Sequence, residues 1–546
     1  MINREERREE QRHRVPRARG EIAKRVSMVL CTVLLASAHG SETTNVNAED
    51  PVLSGSPMPG QWWEEGDGRP MNEFTMYPNR HGALGVLNTA GPVDTKNHPF
   101  FEPLGTNGRA CVTCHQPADG MSLSVGTIRE RWEATNGKDP LFAAIDGSNC
   151  PNLPQGDPKS HSLLLERGLF RIALPWPPKA PDGSTIDPDF ELEVVRDPTG
   201  CNTDPVYGLA ASGHVSVYRR PRPFANLKYV IGAEGRPVGP ALFTPKNNAT
   251  PFDFDPETGK PVTTQIMADA RHPTLKLQAI DAALKHMETK KPIDDAVAQR
   301  IVDFGMKIYA AQALDHRGGS LIAPGVPEAL GPYSLARNRA NVLADNFDDP
   351  VFFDFEAWKK PNAGETPEQT AFRQSVARGY DLFFLRPFWI RDVMHINTVG
   401  LGNPTKRTCA TCHNMQSTGM DLVAGWVDLG TTNLPWAQDP LVGPWDDKKP
   451  ELPLFKITCK EDRPQHRYLG RVIYTQDPGR ALITGKCYDV GSIVMQQFRG
   501  LAARAPYFSN GSARTLRELV DFYDRRFNIG YTEQERIDLV NFLSVL

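Results

Sequence analysis

Cys111-Val112-Thr113-Cys114-His115 recurs as Cys409-Ala410-Thr411-Cys412-His413, and this repeat constrains the fold more than any other stretch of the chain. Two thiols at i and i+3 with an imidazole directly after them form the attachment signature of c-type haem: the thiols add to the haem vinyl groups and the imidazole ligates the iron. With 9 Cys and 13 His in 546 residues, chance would give one such pentapeptide in about 0.4% of chains of this composition, and two far more rarely. A zinc site built from both pairs would not require the adjacent His. A thioredoxin-like pair needs a βαβ context that neither copy has. The expected cofactors are therefore two covalently attached haem c groups, one held by Cys111, Cys114 and His115 and one by Cys409, Cys412 and His413.

The ends of the chain and its remaining cysteines indicate the compartment. Nine Arg or Lys among the first 25 residues precede the apolar run 26–38, which closes on Ala36-Ser37-Ala38. Together they predict a secretory signal over 1–38, cleaved after Ala38. Thirteen residues are too few for a helical span, so no membrane span is expected after cleavage. Cys31 is lost with the signal, and four cysteines then remain beside the haem pairs. Each potential pair lies within one repeat, and Cys150–Cys201 and Cys459–Cys487 are expected as disulfides, suited to a periplasmic location. A net charge of −3 and a pI near 6.5 argue against nucleic acid as a partner.

The rest of the chain repeats around the two motifs. Residues 39–79 read as an irregular leader. A first cytochrome c-type domain covers 80–312, with an insertion at about 150–265 that is dense in Pro and carries β-branched runs such as Phe190–Val195 and Val215–Tyr218. A linker follows over 313–370, with a short helix around Phe352–Lys359. The second cytochrome c-type domain covers 371–546. Asp269–Ala279 parallels Asn510–Val520, with a helix starting at each Thr-Leu pair. Asp294–Phe304 and Thr532–Leu543 both show a polar N-cap and apolar positions at i, i+3, i+4. The fold class expected is mainly α: two cytochrome c-type haem domains, the first with a large loop/β insertion.

Two such domains in one chain, with Arg504-Ala505-Pro506-Tyr507-Phe508-Ser509-Asn510-Gly511 and then Thr515-Leu516 through Tyr523, resemble the bacterial di-haem cytochrome c peroxidase superfamily. That superfamily includes the di-haem enzyme that matures methylamine dehydrogenase and, more distantly, di-haem rubber oxygenases. The resemblance covers about 80–546. It implies one low-spin haem that handles electrons and one with an open site where peroxide is cleaved. It places a sixth ligand of the C-terminal haem at Tyr523, with Met495 and Met415 as alternatives, since thioether ligation is common in cytochromes c. It places the peroxide-site Gln and Glu at Gln278 and Glu288. His286 competes for the acid–base role or for the sixth position of the N-terminal iron. The family's inter-haem Trp is Ala268 here, and its distal His is matched by Arg131 or Trp132. An inter-domain calcium is implied by the resemblance alone.

The function expected is a periplasmic oxidoreductase that reduces or uses hydrogen peroxide, with electron transfer between two haems and with a small donor protein, a cytochrome c or cupredoxin, as partner. The alternatives are a di-haem electron carrier without catalysis and an oxygenase acting on an organic substrate.

Overall fold

The computed structural model describes residues 60–180, 182–231, 266–337, 355–394, 396–397, 402–413, 426–433 and 451–546. The signal segment 1–38, most of the leader, part of the insertion, part of the linker and Met415 lie outside the described residues.

Helix accounts for 32% and strand for 20% of the fold, with several antiparallel sheets. The fold is therefore mixed α/β rather than mainly α. The strands outside the insertion account for the difference. Phe74–Asn79, Gly82–Asn88, Ile308–Asp315 and Gly319–Ser320 form one antiparallel sheet in that order. Its inner strands, GALGVLN and IYAAQALD, are buried almost throughout, so they lack the polar alternation of a half-exposed strand and read in sequence like short apolar segments of either kind. Phe74–Asn79 lies in the stretch expected to be irregular.

The insertion supplies strands where its β-branched runs fall. Phe170–Pro175 pairs with His214–Arg219. Phe190–Arg196 pairs with Leu454–Cys459, which in turn pairs with Val472–Thr475, so a strand from the first half of the chain completes a sheet of the second half. Both disulfides form, with Cα separations of 5.2 Å for Cys150–Cys201 and 5.9 Å for Cys459–Cys487. Each closes a loop whose chain entropy is worth about 4 kcal/mol.

The repeated helices start where the polar caps predict. Thr274 caps Leu275–His286, Thr515 caps Leu516–Phe527, and Thr532 caps Glu533–Ser544, each accepting a hydrogen bond from a backbone N–H three residues on. Glu535 completes a capping box at the last of these. The long helix Pro367–Leu385 crosses Glu533–Ser544 at Gly379, where a Cβ would lie 2.1 Å from the Asp538 carbonyl oxygen. Asp538 fixes the crossing by accepting from Ser375 at 2.6 Å and from Arg378 at 2.8 Å. Two apolar clusters form around the repeats. One is built on Phe383, Phe498, Val520 and Phe542, and the other on Phe100, Phe101, Phe224 and Phe304. No helix of the described residues is long and apolar enough to cross a membrane.

Candidate functional site

Each Cys-x-x-Cys-His motif opens onto its own cavity of about 180 Å³, walled mainly by apolar side chains. In both, the two cysteines begin and end a single helical turn, Cys111–Cys114 or Cys409–Cys412, and the histidine follows as the chain leaves it. One turn places the two thiols on the same side, and it brings the imidazole round beneath them. None of the four cysteines forms a disulfide. Burial pushes the thiols of Cys111, Cys114 and Cys409 up to about 12.

In the N-terminal cavity, His115 Nδ1 lies 3.0 Å from the Met121 carbonyl oxygen. A carbonyl can only accept, so Nδ1 carries the proton and Nε2 keeps its lone pair. Burial pushes His115 down to about 4, which keeps the ring neutral. Phe224 packs with its ring centroid 5.4 Å from that of His115. Gln278, from the Thr274-capped helix, lines the cavity, and so does His286 at the end of the same helix. His286 Nδ1 lies 2.5 Å from Asp146, whose other oxygen accepts from the buried Arg109. Burial alone would raise the Asp146 carboxyl, but Arg109 and His286 hold it below the usual range. The carboxylate thereby fixes the imidazole and leaves Nε2 on the far side of the ring from Asp146.

Glu288 lies elsewhere. It follows the helix with φ +56°, is exposed, and accepts a hydrogen bond from Asn107 at 3.0 Å rather than lining the cavity. Ala268 does line it. Arg131 is engaged with Glu64 and Asp139, and Trp132 packs against Phe142 and His161.

In the C-terminal cavity, the Tyr523 hydroxyl lies 3.2 Å from His413 Nε2. Tyr523 comes from the Thr515-capped helix, and burial together with Cys409 and Cys412 holds its phenol well above the usual range. Met495 is buried in the same wall. Phe383 and Phe498 flank the His413 ring at 6.1 and 5.7 Å between centroids.

The residues fit haem c at both motifs: paired thiols, a histidine and an apolar slot at each, and in the first a ligating nitrogen whose tautomer is already set. In a separate acidic trio, Glu64, Glu65 and Asp139, Arg131 pairs with Glu64 and Asp139, and Glu65 accepts from the Thr113 hydroxyl. Asp146, Met121 and Phe224 were not legible as site residues in the sequence. Asp146 belongs to no motif and reaches His286 only through tertiary packing.

No protein-family model, curated protein or solved structure matches the chain.

Proposed function

We propose that the chain is a periplasmic di-haem c-type oxidoreductase of the peroxidase-like kind, with peroxide reacting on the His115 side and electrons entering on the His413 side from a small donor protein. The observation that carries this reading is an asymmetry. His413 Nε2 faces a tyrosine hydroxyl at 3.2 Å, whereas no described residue hydrogen-bonds to His115 Nε2, and Gln278 and His286 stand in its cavity. The two disulfides are compatible with an oxidising compartment.

Haem bound at the two motifs would supply the two electrons by which peroxide and two protons become two water molecules. The chain's own residues handle position and protons. Gln278 offers a neutral amide able to orient a peroxide oxygen without competing for its proton. His286 donates its Nδ1 proton to Asp146, so its Nε2 can take a proton from one peroxide oxygen and return it to the other as water leaves. Phe224 and its neighbours give the cavity a largely apolar wall. On the other side, Tyr523 and Met495 line the His413 cavity and are the side chains that would help His413 hold a haem bound there.

A second reading is favoured by one observation. A histidine oriented by a carboxylate is also the usual arrangement of a metal-ligating imidazole, so His286 closing the first site would make the protein an electron carrier. Electron paramagnetic resonance and resonance Raman of the ferric protein separate the two. A high-spin component beside a low-spin one is expected for the enzyme, whereas two low-spin signals and no reaction with peroxide would leave the carrier.

A further inference from the structure

Three arginines between the two cavities have no carboxylate partner among the described residues. Arg220 and Arg504 are buried and Arg222 is partly so. Arg220 donates to the carbonyls of Leu123, Arg167 and Arg504. Arg222 donates to Val494 at 3.1 Å and Met495 at 2.8 Å, and Arg504 to the carbonyls of Gln497 and Arg499. A carbonyl dipole satisfies an N–H but does not cancel a full charge, and a buried charge without a counter-ion is costly.

The neighbouring arginines set the contrast. Arg219 bonds Asp477 at 2.6 Å and also Asp269, which Arg271 bonds at 3.0 Å, so two cations there meet two anions. The carboxyl groups that act on the unpaired arginines are committed elsewhere. Asp119, which faces Arg220 from beyond ion-pair distance, accepts from Thr127 at 3.1 Å and is pushed up to about 7 by burial. Asp269, which acts on Arg222, is held by Arg219 and Arg271. Burial and the like charge of Arg504 push Arg220 down to about 9 and Arg222 to about 10. A set of cations that destabilise one another fits an anionic ligand.

Their placement is orderly. Arg220 and Gln497 line both cavities, Arg222 lines only the N-terminal one, and Arg504 only the C-terminal one. We propose that Arg220 is a shared clamp that takes a carboxylate from the ligand of each cavity, with Arg222 and Arg504 as the counter-charge private to each, so that one guanidinium couples the two redox centres electrostatically. The inference rests on the di-haem reading, in which the carboxylates are the haem propionates.

A positive charge beside a haem favours its reduced form, so removing it lowers the midpoint potential. The test is spectroelectrochemical titration of the holoprotein, after the covalent haem has been counted by mass and by pyridine haemochrome. Arg220→Gln is expected to lower both midpoints, Arg222→Gln that of the His115 haem alone, and Arg504→Gln that of the His413 haem alone. Arg220→Lys, which keeps the charge, should hold both near those of the unmodified protein. With two haems bound, an Arg220→Gln variant that moves one midpoint or neither overturns the shared clamp and leaves the di-haem reading standing. The clamp is equally overturned if Arg222→Gln or Arg504→Gln moves both midpoints, a result that does not need Arg220→Gln to fold. A chain that carries no covalent haem overturns both.

Discussion

The two cavities have the same floor and different ceilings. Both rest on one helical turn that ends in a histidine, and both draw a wall from a Thr-capped helix thirteen residues long with its cap, 274–286 and 515–527. In the second repeat that helix delivers Tyr523 onto His413. In the first it delivers Gln278 and His286, with His286 held by Asp146 from a loop after the attachment turn. One scaffold thus presents two different sets of side chains to two cavities built alike.

Removing a floor should have the largest effect. Cys409→Ser with Cys412→Ser is expected to halve the covalent haem count while the His115 site keeps its haem, as read by intact mass and by haem staining under denaturing conditions. The next effect strikes one ceiling only. His286→Gln is expected to slow peroxide-driven oxidation by about 10²–10⁴ without loss of either haem, and Asp146→Asn to slow it less, in stopped-flow traces. A Glu288→Gln variant, whose carboxylate is turned toward Asn107, should react at the normal rate; if it is the slow one, the proton is handled outside the cavity. Tyr523→Phe tests the other ceiling, with a changed ferric spectrum for the His413 haem and an unchanged one for its neighbour. An unaltered spectrum would pass the role to Met495. The smallest effect compares the scaffold itself: Thr274→Ala and Thr515→Ala should each cost about 1 kcal/mol in denaturant unfolding, because each removes the same cap bond.

What was legible in the sequence follows from how local each signal is. The attachment turns, the caps at Thr274, Thr515 and Thr532 and the cysteine pairing are set within a few residues or within one repeat, and the structure forms all of them. The sheet built on Gly82–Asn88 and Ile308–Asp315 was missed because a strand buried on both faces has no alternation to read. Asp146 and the arginines of the shared wall were missed for a different reason. Their meaning lies in which partners they meet, or fail to meet, once the chain is folded. Glu288 shows the reverse, a residue that the family resemblance implied for the peroxide site but that follows the end of its helix by two residues and is exposed.

The strand Phe190–Arg196 also bears on how the molecule is made. Its cross-strand pair Glu193 and Lys456 are 263 residues apart. At about 5–20 residues per second, a ribosome needs roughly 13–50 s to produce the partner after the first strand has been synthesised. Until then, the exposed edge of Phe190–Arg196 is a template for pairing with other chains. Its outward-facing Glu191 and Glu193 act as gatekeepers against that self-association during the wait.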